Sequence, residues 1–373
     1  MGRLVVHKYG GSSVGDLARI RRVAQRIAAT VADGTKVVAV VSAMGNTTNE
    51  LLALARQAAA SPDRRELDML MSVGERITMS LLAMCLHEAS VRARSLTGSQ
   101  SGILTDESHA DARVIEVRPD RLRAVLADHD VAIVAGFQGV SREREVTTLG
   151  RGGSDTTAVV LAAALDAEHC EICSDVDGVS TADPRVVHDA RRLDAMTLPA
   201  AVALARGGAK VLFEDAVRFA RDNGVKIVAT TTFGPGAGTT LVSTSELGTR
   251  PLVDVITVDT QLVALSTAAD LGSWATAGAR LRRRVGGVAH LDTRNLHGPW
   301  PGDATSIAVV SAVGSSVGES LDVVLRGAKA LSKGAIPVLA EGGQGDSVWW
   351  QIAPDRADDA VRSLHAALID PPS

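Results

Sequence analysis

The sequence predicts an α/β fold: a mainly parallel sheet with helices on both faces, followed by a smaller α+β region. Three observations predict it. The chain is 46% hydrophobic but only 2% aromatic, so Ala, Val, Leu and Ile must build the core, as in sheets buried on both faces. Over residues 1–240, short β-branched runs alternate with longer Ala/Leu-rich segments, the mark of strand–loop–helix repetition. The polar, glycine-bearing motifs fall at the ends of the strand segments, where ligands bind in such sheets.

Taken in order, LVVHKYGG is a strand entering a glycine turn, and DLARIRRVAQRIAATVADG is an amphipathic helix ending at Gly34. KVVAVVSAMG is a second strand with its loop, and TTNELLALARQAAAS a second helix. ELDMLMSVGERITMSLLAMCLHEA reads as helix, glycine break, helix, while DVAIVAGFQG, EHCEICSDVDG and VKIVATTT are further strands. The Gly/Pro/Ser/Thr-rich stretch FGPGAGTTLVSTSELGTRP reads as a linker. Beyond it, VDVITVDTQLVALST is strand-like and ATAGARLRRRVGG resembles a short helix. DATSIAVVSAV, AIPVLAEGG and DSVWWQIA are strands, and SLDVVLRGAKALSKG and RADDAVRSLHAALI are helices. The expected division is a first domain over residues 1–245 and a second over 246–373, made of a poorly formed module (252–310) and a better one (311–373).

A net charge of −4 lends no support to a nucleic-acid or membrane partner. Arg3, His7 and Lys8 interrupt any N-terminal apolar run, and no stretch of about 18 apolar residues is found, so the expected compartment is the cytoplasm. Cys170 and Cys173 form a C-x-x-C, but on a strand residues three apart point to opposite faces. Core packing is expected of them rather than a metal or redox site. Arg280, Arg282, Arg283 and Arg284, if helical, form a solvated face or subunit contact.

The most informative run is TTLGRGGSD, residues 147–155. Gly150, Gly152 and Gly153 let backbone approach a ligand, Arg151 offers a fork for a carboxylate or phosphate, and Ser154 and Asp155 stand where the following helix begins. Lys8 precedes Gly10 and Gly11 in KYGGSSVGD, placed to bridge phosphate oxygens over backbone amides. The GxxxxGK[ST] phosphate loop is absent. Ser42, Thr47 and Thr48 occupy a second loop that opens a helix. Glu75 follows a glycine in SVGERIT, where it either binds a substrate ammonium or lies solvated on a helix face. Thr105, Asp106 and Glu107 add polar groups in a further loop. In CSDVDGVSTADPRVV, Asp175 and Asp177 are candidates to face a nucleotide or its magnesium and Arg185 to meet phosphates. A dedicated metal cage is not expected, since magnesium on nucleotide phosphates uses few carboxylates.

The motifs KYGGSSVG, SAMGNTTNELL, SVGERIT, TGSQSGILTDE, IVAGFQGV, TTLGRGGSDTTAV, CSDVDGVSTADPRVV and GAKVL occur in this order. In that order they resemble those of aspartate kinases, nearest the actinobacterial type, across residues 3–242. The resemblance implies the amino-acid kinase fold, a three-layer arrangement, with a C-terminal ACT-like regulatory region. It implies transfer of the ATP γ-phosphoryl group to the β-carboxylate of L-aspartate, with magnesium accompanying ATP. Lys8 would stabilise the transferring phosphoryl and Asp155 organise the site. Arg151 would grip a substrate carboxylate, Glu75 and Thr48 would seat the amino acid, and Ser42 and Ser154 would line the acceptor side. Gly10, Gly11, Ser174, Asp175, Ser180, Arg185 and Lys210 would line the nucleotide. A homodimer or higher homo-oligomer is expected, with an amino-acid effector at the ACT region.

The sequence departs from the family's pattern at three places. Ser180 stands where the family commonly has tyrosine (DGVYTADPR), and Phe213-Glu214 follow GAKVL where many members have His-Pro. Residues 252–310 resemble an ACT module only faintly, which puts inherited feedback inhibition in doubt. Two other readings share these residues: a same-fold kinase acting on an aspartate-like acid, and a non-catalytic regulatory subunit. The latter predicts loss of Lys8 or Asp155, and both are present.

Overall fold

The computed structural model describes residues 2–246, 252–266, 269–296 and 299–369. They form two compact units, Met1–Gly178 with Asp215–Thr240, and Val179–Glu214 with Leu241–Ser373. Residues 179–214, inside the stretch 1–245, thus belong by their packing to the second unit.

The chain opens with β1 (Leu4–Tyr9), α1 (Leu17–Ala32), β2 (Lys36–Val41), α2 (Thr47–Ala58), α3 (Arg64–Met71) and α4 (Val73–Glu88). It continues through β3 (Ala93–Leu96), β4 (Ile103–Thr105), β5 (Val114–Val117), α5 (Asp120–Asp128), β6 (Val131–Ala135), β7 (Gln138–Val140), β8 (Val146–Thr148), α6 (Gly153–Ala164) and β9 (Cys170–Ser174). Next come β10 (Ala195–Thr197), α7 (Leu198–Arg206), α8 (Glu214–Asn223), β11 (Ile227–Thr231) and β12 (Thr239–Val242).

In the first unit the main sheet runs β12-β11-β9-β1-β2-β6-β3, and the pairings from β11 through β3 are parallel. The order turns at β1: later strands add as β2, β6 and β3 on one side and as β9, β11 and β12 on the other. Such a reversal opens a crevice at the carboxyl ends of the central strands. Lys8 and Tyr9 close β1 at that crevice and Ser174 closes β9. Successive residues of β1 face opposite ways. Val5 and Tyr9 join the core beneath α1 and α4, with Ile20, Ile27, Leu82 and Leu86. Lys8, on the opposite face, meets α6. That helix is apolar nearly all round and buried along Gly153–Asp155 and Thr157–Ala162, as a helix inside an α/β layer must be. A smaller sheet, β5-β4-β7-β8, stands beside it.

The second unit carries β13 (Val255–Ser266), α9 (Leu271–Thr276), β14 (Arg280–Val285), β15 (Val288–Asp292), β16 (Thr305–Val313), α10 (Leu321–Lys333), β17 (Ala340–Gln344), β18 (Ser347–Ile352) and α11 (Ala357–Leu368). Its antiparallel sheet runs β14-β15-β13-β16-β18-β17. One core joins Trp350, Val310 and Ile256 to Val323, Leu331, Val361 and Leu364, and also takes in Ala182. Thr181 anchors there too, its hydroxyl 2.9 Å from His365 Nε2.

Several expectations are corrected. The arginine run is strand β14, paired with β15, and of its arginines only Arg284 is exposed. Arg282, with its side chain 15% exposed, bridges Glu214 and Asp292. Arg283 lies over the Trp349 ring at 4.4 Å, and burial lowers its pKa to about 10. The expected linker contains β12, paired into the main sheet beside β11; residues 247–251 of it lie outside the described residues. The helix break falls at Ser72, and Gly74 lies inside α4. By length and mean hydropathy the helical stretch Arg64–Glu88 is apolar enough to cross a membrane, which a search for uninterrupted apolar runs passes over. Half of its most apolar window is buried against the protein, together with Asp68 and Glu75. Cys170 and Cys173 are free, buried thiols on β9, as expected.

Candidate active site

The site grows from the carboxyl end of β1. Lys8 Nζ lies 2.6 Å from Asp155 Oδ1, with side chains 11% and 3% exposed. It is a close ion pair rather than a well-angled hydrogen bond. Two charges taken this far out of water must be paired, because an isolated one would cost several kcal/mol. Asp155 sits in the first turn of α6, where the helix dipole favours an anion.

The glycines around the pair leave little room for a side chain. A Cβ on Gly10 would lie 3.4 Å from Lys8 Nζ, and one on Gly11 would come within 3.1 Å of the Ala43 and Gly45 carbonyl oxygens. Gly10 N–H donates to the Cys173 carbonyl (3.4 Å), and Ser42 N–H to that of Tyr9 (3.1 Å). The turn after β1 is thereby tied to the ends of β9 and β2. In the loop before α6, Gly150 and Gly152 adopt φ of +71° and +75°, which other residues take only under strain. A Cβ on Gly153 would strike Leu149 and Phe137, each at 2.9 Å.

On the other side of the crevice, Ser42 Oγ donates to Ser154 Oγ (3.0 Å), and Ala43 N–H donates to Glu75 Oε1 (3.2 Å). Gly74 allows this approach: a Cβ there would lie 2.7 Å from Ala43 Cβ. Glu75 is 3% exposed, so the solvated alternative does not hold. Burial raises its pKa to about 7, and Oε2 is buried without a partner. A buried, half-satisfied carboxylate of this kind suits a cationic ligand group. Thr48 is half-buried in the first turn of α2, and Arg151 is exposed on its loop.

The structure therefore brings Lys8, Asp155, Ser42, Ser154 and Glu75 into linked contact in the first unit. Ser174 and Asp175 follow at the end of β9, half-buried and exposed respectively. Ser180, Arg185 and Lys210 belong to the second unit. There Arg185 forks onto Asp183 at 2.6 and 3.0 Å, and Lys210 is exposed. Asp177 Oδ1 accepts from Gly238 N–H at 3.0 Å and so braces a turn. Thr105 is buried, its hydroxyl 2.6 Å from that of Thr147. Among the described residues no group of three or more His, Cys, Asp or Glu side chains converges on a metal position.

The sequence reading missed Asp68, fully buried on α3 and hydrogen-bonded to His109, Ala110 and Thr148. Its signal was present: a carboxylate within the apolar run of ELDMLM. Only the fold reveals that it lies on the helix's buried face with Leu67 and Met71.

The amino acid kinase family model matches residues 3–230. The chain belongs to that family. Among its relatives, the aspartokinase of Mycobacterium tuberculosis is 52% identical over 240 residues, 64% of this chain and 57% of that protein. The chain thus spans little more than half the length of that curated relative. The aspartate kinase from Synechocystis is 32% identical with a TM-score of 0.60, over 99% of this chain and 70% of that one. E. coli aspartokinase III, in complex with aspartate and ADP, superposes with a TM-score of 0.82 at 22% identity, over 98% of this chain and all of that one. This last is a likeness of fold. The family membership accords with the fold the motifs imply.

Proposed function

We propose that this chain is an aspartate kinase that transfers the γ-phosphoryl group of ATP to the β-carboxylate of L-aspartate. The observation that carries the reading is the buried Lys8–Asp155 pair, set between a glycine turn and the start of α6. The 52% identity to an aspartokinase over 240 residues supports the choice of acceptor.

In this reading a β-carboxylate oxygen attacks the γ-phosphorus and the bond to the departing ADP oxygen breaks. No enzyme nucleophile takes part, so the protein contributes position and charge. Lys8 stabilises the negative oxygens of the phosphoryl group in transit, and Asp155 holds the Lys8 ammonium on that spot. Glu75 Oε2 receives the substrate ammonium and Arg151 its carboxylate, with Thr48, Ser42 and Ser154 lining the acceptor pocket. Gly11 presents its backbone amide to the phosphates, and the space that the missing Cβ atoms of Gly10 and Gly11 leave fits such a chain. Ser174 and Asp175, at the end of β9, line the nucleotide side. Magnesium bound with ATP would supply charge neutralisation on the phosphates, with Asp175 the residue placed to face it.

The chain works in the cytoplasm as a homodimer or higher homo-oligomer. The segment 252–310 has one helix among its described residues, the six-residue α9, whereas the stretch after it carries α10 and α11 of 13 and 12 residues. This supports weakened feedback by an amino-acid effector. The test is ATP-dependent acyl phosphate formation, trapped with hydroxylamine. Hydroxamate with aspartate supports the reading, and none at millimolar aspartate refutes it.

A further inference from the structure

We propose that Asp68 is a positioning residue that sets the spacing between Glu75 and the Arg151 loop, and thereby the fit of the acceptor. The inference rests on the acceptor roles given above to those two residues.

Asp68 has no exposed surface, and its carboxylate holds two separate pieces of chain, the loop at His109–Ala110 and the end of β8. Oδ1 accepts from Ala110 N–H at 3.0 Å and from Thr148 Oγ1 at 2.5 Å. Oδ2 lies 2.7 Å from His109 Nδ1, which donates to it. A carboxylate with no water around it persists only if both oxygens are hydrogen-bonded, and these three bonds satisfy that.

Each partner leads towards the acceptor side. Thr148 ends β8 three residues before Arg151. Its carbonyl also accepts from Ala112 N–H at 2.9 Å, so the root of the glycine loop is held once by Asp68 and once by the loop that Asp68 also grips. In that loop Ala110 adopts φ of +64°, a strained conformation for alanine that must be enforced by its surroundings. The Asp68 carboxylate on its N–H supplies that constraint. In the other direction, α3 runs into α4 through the single-residue break at Ser72. Ser72 N–H donates to the Asp68 carbonyl at 3.0 Å, and its own carbonyl accepts from Gln138 Nε2 at 3.0 Å. Glu75 follows within the first turn of α4. Asp68 is thus the joint between the helix that carries Glu75 and the loop that carries Arg151, without itself belonging to the acceptor pocket.

The experiment compares Asp68→Ala, Asp68→Asn and Thr148→Val with the parent chain. Asn keeps an acceptor for Ala110 and Thr148, and Val removes only the hydroxyl bond. The expected result is a rise in KM for aspartate of about tenfold or more in Asp68→Ala, since small misplacements of binding groups are costly. Thr148→Val and Asp68→Asn give smaller rises, with KM for ATP within twofold in all three. Equal changes in both KM values, or none, overturn the proposal. Asp68→Ala may be replaced by the two milder variants if it does not fold, and the same split decides. Amide hydrogen exchange over residues 147–153, measured without substrate, separates this claim from the proposed activity. Faster exchange in Thr148→Val and Asp68→Asn than in the parent supports the joint even if no acceptor is phosphorylated, and unchanged exchange refutes it.

Discussion

Lys8 Nζ stands 2.6 Å from Asp155 Oδ1, joining the end of β1 to the first turn of α6 with almost no solvent between them. Replacing Lys8 by Met removes one charge and leaves the other buried. The expected outcome is a fall in kcat on the order of 10²–10³-fold and a loss of about 3 kcal/mol in stability. The double variant Lys8→Met/Asp155→Asn should recover most of the stability, by urea denaturation, while turnover stays low. Recovery of turnover would remove Lys8 from the chemistry.

Glu75 gives a pH dependence with a definite sign. Its folded pKa is raised by burial to about 7 from 4.5. The folded protein therefore keeps a proton that the unfolded chain has lost, and stability falls as pH rises from about 4.5 through 7. Glu75→Gln, measured without ligand, should match the parent near pH 4 and exceed it at pH 8 by on the order of 3 kcal/mol. An equal difference at both pH values contradicts this.

The same group should shape acceptor binding. Only the ionised carboxylate attracts an ammonium strongly, so kcat/KM for aspartate should drop about tenfold per pH unit below pH 7. The value for ATP should show no such step. Parallel profiles for the two substrates would take Glu75 out of acceptor recognition.

Gly74→Ala introduces a Cβ 2.7 Å from Ala43 Cβ. Neither atom is the end of a flexible chain, so α4 or the Ala43 loop must shift, at a cost of about 1–3 kcal/mol. The displacement moves Glu75 from Ala43 N–H, and KM for aspartate should rise with the fall in thermal midpoint. A midpoint within one degree of the parent would contradict the packing argument.

In the second unit, Arg282→Leu tests the strand assignment of the arginine run. It strips Glu214 and Asp292 of a shared, mostly buried partner and should cost about 1–3 kcal/mol by urea denaturation. A solvated helical arginine would cost next to nothing.

How much of this could be read beforehand follows the range of the interactions. β1, β2, β6, β9 and β11 were legible because each is a short, largely apolar run leading into a polar turn. Lys8, Asp155 and Glu75 were legible as candidates because each stands within two residues of a glycine. The strand at Arg280–Val285 was not, since its Leu/Arg-rich composition favours helix; pairing with β15 and stacking of Arg283 on Trp349 override that preference. β12 hid in a glycine- and threonine-rich stretch because its partner β11 determines it, and the three-residue strands β4, β7 and β8 are too short to show a period. Asp68 escaped for the same reason: His109 and Thr148 are its partners only once three distant segments meet.

The most direct test of the central claim is an acceptor panel with ATP and magnesium, read as hydroxylamine-trapped acyl phosphate for the parent chain and for Lys8→Met. The account predicts hydroxamate with L-aspartate above every other acid tested, and at least a hundredfold less with Lys8→Met. No product with aspartate, or equal product from Lys8→Met, would contradict it.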